Sequence, residues 1–144
     1  MFTIKKTTDL TSDIYKDAVV IRKEVFVNEQ RVPLELELVG EQGPLHYVGY
    51  LAEKPVATAR AFAETAQSWH IQRVAVLKDY RHKGLASQLL QAIEQAARNE
   101  GIQTLTLGAQ DSAQAFYHKL GYQVVGEGFL DAGIAHHRMD KHLD

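Results

Sequence analysis

The chain has 144 residues, a formal net charge of −2 and a hydrophobic fraction of 45%, which together indicate one soluble domain over residues 1–144 with a sizeable core. The near-neutral charge argues against binding to nucleic acid through an overall field, and no run approaches the ~18 apolar residues of a membrane span. The absence of cysteine excludes disulfides, thiol nucleophiles and thiolate metal sites. Residues 1–6 lack a signal-peptide core, so we expect a cytoplasmic protein with no membrane partner. We expect no metal, because the seven histidines come without cysteine and without a helical i, i+4 pair.

The N-terminal part of the chain predicts a strand, a helix and an acidic loop. Residues 2–7 alternate weakly between apolar and polar side chains and predict the first strand. Residues 11–27 predict a helix, because their apolar positions recur on one face and Thr11 or Ser12 can cap the start. Residues 28–43 are acidic and are interrupted by proline and glycine, so we expect a loop over a pocket.

Three strands are predicted next. Residues 45–53 and 56–64 predict a hairpin with a tight turn at Lys54-Pro55. A second turn at residues 66–69 leads into a strand over residues 70–77. The end of that strand is apolar on both faces, which is typical of a strand covered by helices on both sides.

The remaining chain alternates helices and strands. Residues 84–99 form the clearest helical pattern, and a strand at 102–107 follows. Because one strand, a helix and a second strand in this order make a parallel pair, these two strands are expected to lie side by side. A short helix at 111–120 and late strands at 122–125 and 134–140, joined by a glycine-rich connection, complete the chain.

These elements predict a mixed α/β sheet of about seven strands, with helices on both faces and one parallel pair in the middle. Ligands of such sheets bind at the carboxyl ends of the strands, where parallel neighbours diverge. That crevice is expected between residues 74–77 and 105–108.

The segment Arg81-His82-Lys83-Gly84-Leu85-Ala86 lies at the mouth of this crevice, where a strand ends and a helix begins. Free backbone N–H groups, the positive end of a helix dipole and three basic side chains suit a diphosphate, and Gly84 leaves room for it. Many helices start with a basic turn and bind nothing, so the segment alone leaves both interpretations open.

Two motifs, in order and with a helix–strand unit between them, resemble the GNAT family of acetyl-CoA-dependent N-acetyltransferases. Residues 81–86 match the family's phosphate-binding turn, (Gln/Arg)-x-x-Gly-x-(Gly/Ala), and follow the strand Gln-Arg-Val-Ala-Val at 72–76. Residues 113–122 match its Ala-x-x-Phe-Tyr-x-Lys-x-Gly-(Phe/Tyr) segment. Strand order agrees over essentially the whole chain.

The N-terminal half is similar to one subgroup, the ElaA/YjcF-like acetyltransferases. Residues 22–33 resemble the subgroup's Arg-x-x-Val-Phe-Val-x-Glu-Gln-x-Val-Pro signature. The late segment 133–136 resembles its Gly-Ile-Pro-His, except that Ala135 stands where proline is expected.

The resemblance implies a single N-acetyltransferase domain with the acyl-CoA N-acyltransferase fold, a splayed parallel pair and acetyl-CoA as cosubstrate. The pantetheine arm would lie along residues 74–76, where the neighbouring strand splays away, and the diphosphate would lie on residues 81–86. The residues implied in coenzyme binding are Val74, Ala75, Val76, Arg81, His82, Lys83, Gly84, Leu85, Ala86, Gln110, Phe116 and Tyr117. Gln110 equally suits a turn cap, and Phe116 equally suits a core position.

The same resemblance implies Tyr117 as the general acid, because a tyrosine of pKa about 10 can protonate a leaving thiolate and stay neutral itself. A packed aromatic is the structural alternative. The attacking amine must lose a proton, so a base or a water chain is required. The candidates are Glu29, His46 and His136, each of which also suits a solvated or structural role.

The acceptor is expected to be a small-molecule amine, or a lysine or N-terminal amine. The acidic run from Glu29 to Glu41 favours a cationic acceptor, although a solvated loop explains it equally well. Direct attack in a ternary complex is expected, since the chain has no cysteine and no visible Ser–His pairing. The alternative function is a non-catalytic CoA- or acyl-CoA-binding regulatory module, and an exposed late strand leaves a homodimer open. The net charge disfavours a nucleic-acid partner.

Overall fold

A single seven-stranded sheet organises the computed structural model, which describes residues 1–143. In chain order its strands are β1 (Phe2–Thr7), β2 (Leu45–Leu51), β3 (Lys54–Thr65), β4 (Ser68–Val76), β5 (Thr104–Gln110), β6 (Gln123–Asp131) and β7 (Ile134–His142). Their order across the sheet is β1-β2-β3-β4-β5-β7-β6, with β4 and β5 parallel and the other neighbouring pairs antiparallel. The predicted mixed sheet with one central parallel pair is confirmed.

Helices lie on both faces of the sheet. They are α1 (Asp13–Arg22), which continues into a π-helical segment (Lys23–Glu29), then α2 (Leu34–Glu37), α3 (Leu85–Asn99) and α4 (Gln114–Lys119). Ser12 caps α1, since its hydroxyl accepts a hydrogen bond from the Tyr15 amide at 3.2 Å. The predicted helix over residues 11–27 therefore exists, but its last turns widen to π geometry, which often marks functional segments.

The apolar stripes of α1 and α3 account for the two halves of the core. From α3, Leu89, Leu90 and Ile93 pack on one face of the sheet. From α1, Ala18 and Ile21 pack on the other face. The central strands are covered on both sides. Burial of this apolar surface therefore determines which side chains of each strand face α1 and which face α3.

The turn between β2 and β3 differs from the sequence prediction. It lies at Ala52-Glu53, whose φ angles are 48° and 68°, and Lys54-Pro55 begins β3. Both turn residues are left-handed, as a two-residue hairpin with the right twist requires. Asparagine and glycine usually fill such positions, so Ala52-Glu53 gives no turn signal. The predicted turn fell two residues later because proline is a common turn residue.

The glycine-rich connection after residue 125 also differs from the prediction, because it forms part of β6. The pairing of β6 with β7 shifts register between Val125 and Phe129, around a left-handed Gly126 with φ of 78°. This bulge lets one strand continue to Asp131, and the chain reverses at Ala132-Gly133.

The parallel pair at the centre diverges partway along its length. The β4–β5 ladder runs from Ser68 opposite Thr104 to Ile71 opposite Leu107. Beyond Ile71, the β5-facing edge of β4 has no ladder partner among residues 1–143. At the same point β4 bulges against β3, and Arg73 adopts a φ of 59°. The sheet therefore opens into a cleft between residues 72–76 and the end of β5.

Candidate functional site

A cavity of about 480 Å³ occupies the place where β4 and β5 separate. Its walls come from both diverging strands, from the segment after α1, from α4 and from the β6–β7 hairpin. The residues that line it include Val74 from β4, Gln110 from β5, Gln30 from the segment after α1, Tyr117 from α4, Phe129 from β6 and His136 from β7. The crevice predicted between residues 74–77 and 105–108 is therefore present, and it extends further into the hairpin than the sequence indicated.

The turn from β4 to α3 presents backbone amides beside this cleft. His82 has a φ of 64° and Gly84 a φ of 76°, and Gly84 is the N-cap residue of α3 without any side-chain cap hydrogen bond. The first N–H groups of α3 therefore receive no side-chain acceptor at the cap, and at the positive end of the helix dipole they can donate to an anion. Leu85 is buried in the core, so its backbone is what remains for a ligand.

Gly84 suits this turn for two reasons, its backbone conformation and the open space around it. A Cβ at this position would meet no described atom within 4 Å, so the sheet and helices do not crowd it. The φ of 76° is the reason that a glycine suits the turn, and the open space above it is where a ligand can approach.

Basic side chains surround the same turn. The ammonium groups of Lys54 and Lys83 lie 5.0 and 5.6 Å from the centroid of the Tyr80 ring. Arg81 donates from Nε to the Val76 carbonyl oxygen at 2.9 Å, which ties the turn to the end of β4. This local positive charge stands on a chain whose net charge is −2, so it favours an anionic ligand at this place.

Glu29 lies at this basic turn and outside the cavity lined by Tyr117. Its carboxylate accepts two hydrogen bonds of 2.6 Å from the guanidinium of Arg81. These hydrogen bonds hold the pKa of Glu29 below its ordinary value, so the carboxylate stays ionised and paired. That environment makes it a weak base, and the structure does not bring Glu29 together with the other candidates.

Tyr117 lies on α4 with its ring packed in the core and lining the cavity. The residue is 8% exposed, and its ring meets those of Phe116 and Tyr122 edge-on. Burial raises the pKa of Tyr117, so the hydroxyl remains protonated at neutral pH. Within residues 1–143 this hydroxyl forms no hydrogen bond, which leaves the proton available to a bound group. Phe116 is a partly buried member of the adjoining core.

His136 meets the geometric requirements of a base better than the other candidates. Its Nδ1 lies 2.7 Å from the Ile134 carbonyl oxygen, which can only accept, so Nδ1 carries the proton. In the neutral form of the ring, the lone pair therefore lies on Nε2. The ring stacks on Phe129, is 9% exposed and lines the cavity, opposite Gln110 in the β5–β7 ladder.

His46 lies elsewhere in the molecule. It is 1% exposed on β2, its Nε2 lies 2.9 Å from the Glu41 carbonyl oxygen, and its ring meets that of Tyr15 edge-on. Burial holds the pKa of His46 below its ordinary value. It does not line the cavity, so the structure does not bring His46 together with Tyr117 and His136.

The acidic run does not offer free negative charge at its two buried carboxylates. Glu37 Oε2 lies 2.7 Å from Arg22 Nε and 3.1 Å from Arg73 Nε. Glu41 pairs with Arg22 and with Arg60, each at 2.8 Å. The expectation of a cationic acceptor therefore loses the support of these two residues, because their charges are neutralised within the protein.

Two residues of the site were not among the predicted site residues, although both lie within the matched motifs. Gln30 accepts a hydrogen bond from the side-chain amide of Gln110 at 2.8 Å, which links the segment after α1 to the end of β5. Arg73 lines the cavity from the β4 bulge. A charged residue in the middle of an apolar strand was the available hint for Arg73, but its left-handed backbone could not be inferred.

Metal ligation and membrane insertion concern the same described part of the chain, residues 1–143. No group of three or more His, Asp or Glu side chains in this part of the chain is arranged to hold a metal ion. No helix in the same part is long and apolar enough to cross a membrane.

A mixed seven-stranded sheet that opens between its central parallel strands, beside an uncapped helix N-terminus, defines the acyl-CoA N-acyltransferase fold. The chain belongs to the GNAT acetyltransferase family, because the family's model, described as "Acetyltransferase (GNAT) domain", matches residues 10–143.

Three known proteins illustrate the likeness. The uncharacterised N-acetyltransferase YjcF of Bacillus subtilis is 42% identical over 128 residues, covering 88% of this chain and 91% of YjcF. The crystal structure of Escherichia coli ElaA has a TM-score of 0.81 at 25% identity, covering 98% of this chain and 99% of ElaA. A GNAT acetyltransferase from Elizabethkingia anophelis with acetyl-CoA bound shares the fold, with a TM-score of 0.68 at 16% identity and coverage of 99% and 98%. The sequence resemblance to the ElaA/YjcF-like subgroup is confirmed.

Proposed function

We propose that the protein transfers an acetyl group from acetyl-CoA to a primary amine by direct attack in a ternary complex. The observation that carries the proposal is the free edge of β4, which leads from the cavity to the uncapped N-terminus of α3. An extended pantetheine arm suits the first feature, and a diphosphate suits the second. The acetyl-CoA bound to the Elizabethkingia neighbour supports the same choice of ligand.

In this proposal the chain holds the coenzyme mainly by its backbone. The edge over residues 74–76, which has no strand partner in the described part of the chain, offers hydrogen bonds to the pantetheine amides, and its Val76 carbonyl oxygen also accepts from Arg81 Nε. The amides of residues 81–86 bind the diphosphate, and Lys83 adds positive charge. Gln110 lines the cavity from the end of β5 and contributes one polar contact near the thioester, whereas Phe116 packs against the core and supports the ring of Tyr117.

The reaction uses two side chains that face the cavity from different walls. The amine nitrogen attacks the thioester carbonyl carbon, forming the C–N bond and a tetrahedral oxyanion, and its surplus proton passes to His136 Nε2 directly or through water. When the C–S bond breaks, Tyr117 gives its hydroxyl proton to the leaving thiolate, and the proton taken up by His136 then returns to the Tyr117 oxygen through water, so that both groups are restored. The chain contains no cysteine, so no thiol of the enzyme carries the acetyl group.

Thiol release tests this function. Purified protein is incubated with acetyl-CoA and a panel of amines, including amino sugars, polyamines, free amino acids and lysine peptides, while free CoA is measured. Amine-dependent release with a matching acetylated product supports the proposal. Binding of acetyl-CoA without turnover across the panel would favour the regulatory module instead.

A further inference from the structure

The bulge in β4 requires an explanation, because Arg73 adopts a left-handed backbone there with a φ of 59°. Residues with a Cβ rarely occupy this region, and they persist in it only when surrounding contacts hold them. The bulge also lies at a sensitive place, since it follows the last β4–β5 pair at Ile71 and immediately precedes the edge over residues 74–76. A shift of one residue in a strand turns every following group to the other face.

The side chain of Arg73 is held by α2. Its Nε lies 3.1 Å from Glu37 Oε2, and its guanidinium donates to the main-chain oxygens of Leu36 and Glu37 at 3.3 and 3.4 Å. These contacts cross from the sheet to the segment over the cavity, although 36 positions separate Arg73 from Glu37 in the chain. They are the side-chain contacts of Arg73 in the described structure, and Glu37 contributes to two of them.

Glu37 is itself fixed from the other side. It is 2% exposed and Arg22 is 1% exposed, and Arg22 donates from Nε to its carboxylate and from Nη2 to its carbonyl oxygen, both at 2.7 Å. A buried carboxylate with two guanidinium partners cannot move without breaking charged hydrogen bonds. Glu37 therefore transmits the rigid position of α1 to the bulge in β4.

The charges around Glu37 make this contact hard to replace. Within residues 1–143, Arg22, Arg60 and Arg73 pair with two carboxylates, those of Glu37 and Glu41. Burial, together with the neighbouring charges of Arg73 and Arg22, holds the pKa of Arg60 below its ordinary value, as expected where cations crowd together. Without the Glu37 carboxylate, Arg73 would be repelled from the segment that now holds it.

We infer that Glu37 is a positioning residue, which acts through Arg73 to hold the β4 bulge so that the edge over residues 74–76 receives the acyl thioester in its reactive position. This inference rests on the proposed acetyl transfer and adds a part to it. Glu37 need not touch acetyl-CoA or the amine, because its effect passes through the backbone of β4.

Two isosteric variants separate positioning from stability. Glu37→Gln removes the charge that holds Arg73, whereas Glu41→Gln removes a carboxylate from the same network that pairs with Arg22 and Arg60. Both variants are expected to lower the melting temperature. Only Glu37→Gln is expected to reduce kcat, by about tenfold or more, because small misplacements of reacting groups cost that much. The Kd for CoA should rise by a smaller factor than kcat falls, since the diphosphate site is untouched.

A second variant, Arg73→Lys, covers the case in which Glu37→Gln does not fold, and the double variant adds a test in the case in which it does. Arg73→Lys keeps the charge but loses the planar fork, so it should lower kcat with little change in melting temperature. Combined with Glu37→Gln, its effect on kcat should be far from additive, because both changes break one contact. Equal kcat for Arg73→Lys and wild type, or additive effects, would overturn the inference.

Backbone NMR of the coenzyme-free protein reports on the conformation of the β4 bulge independently of catalysis. Glu37→Gln should move the amide resonances of residues 74–76, and Glu41→Gln should leave them near their wild-type positions. If both glutamine variants move these resonances and kcat alike, Glu37 is only structural. Wild-type protein that fails to bind CoA and to release thiol would instead refute the proposed function, while the NMR comparison would still decide the role of Glu37.

Discussion

Gly84 and Gly101 allow a matched test of the coenzyme site, because they flank the two ends of α3. Their φ angles are 76° and 75°, and a Cβ on either would meet no described atom within 4 Å. Valine at either position must adopt a left-handed backbone, which costs an L residue about 1–2 kcal/mol. For a chain of this size, each variant should therefore lose about 2–8 °C in melting temperature.

The two variants should differ in their affinity for CoA. At position 84 the added side chain enters the space above the turn through which a diphosphate must approach the backbone amides, whereas position 101 lies at the far end of the helix. We expect Gly84→Val to raise the Kd for CoA at least tenfold, or about 1.4 kcal/mol. Gly101→Val should leave the Kd within about twofold of wild type.

Titration calorimetry on both folded variants measures the Kd for CoA. Thermal melts check that the two variants lose a similar amount of stability. Unchanged affinity in Gly84→Val would refute the reasoning, because the diphosphate would then lie away from this turn. Equal weakening in both variants would also refute it, because the affinity would then follow the integrity of α3 and not the space above Gly84.

Three further predictions address the reacting groups and the pH dependence. Tyr117→Phe should lower kcat by about 100-fold or more with little change in CoA affinity, whereas Tyr122→Phe, its buried neighbour, should stay near wild type in steady-state kinetics. His136→Gln should likewise reduce kcat by about 100-fold, and His137→Gln on the opposite face, where the ring pairs with Asp111, should not. Because burial keeps the pKa of His46 below its ordinary value of 6.5, the unfolded chain takes up that proton more readily than the folded one. The associated stability is present above about pH 6.5 and is lost as the pH falls below it, so melting temperatures should fall from pH 7 to pH 5, and less steeply in His46→Gln. A pH slope identical in wild type and His46→Gln would contradict this assignment.

Local signals predicted the central part of the fold. The apolar rows of α3, the strand before it and the basic turn between them follow rules that operate within a few residues, and the structure agrees with them. The same holds for Ser12 as the cap of α1. His136 could be placed on a strand from its neighbours, but the hydrogen bond of Nδ1 to Ile134, which fixes its proton, required coordinates.

Contacts between distant segments account for what the sequence did not predict. Glu37 and Glu41 resembled solvated loop residues, because their arginine partners are 15 or more positions away in the chain. The left-handed backbone of Arg73 depends on those same contacts, so no local sequence pattern could predict it. The turn at Ala52-Glu53 was missed for a different reason, since the twist of the β2–β3 hairpin overrides the ordinary preference of these residues.

Backbone NMR during a titration with CoA tests most directly whether the coenzyme binds where β4 opens toward α3. The proposed complex predicts that the largest amide shifts fall in residues 74–76 and 82–86, with saturation at one equivalent. Shifts confined to other parts of the chain, or none at millimolar CoA with folded protein, would contradict it.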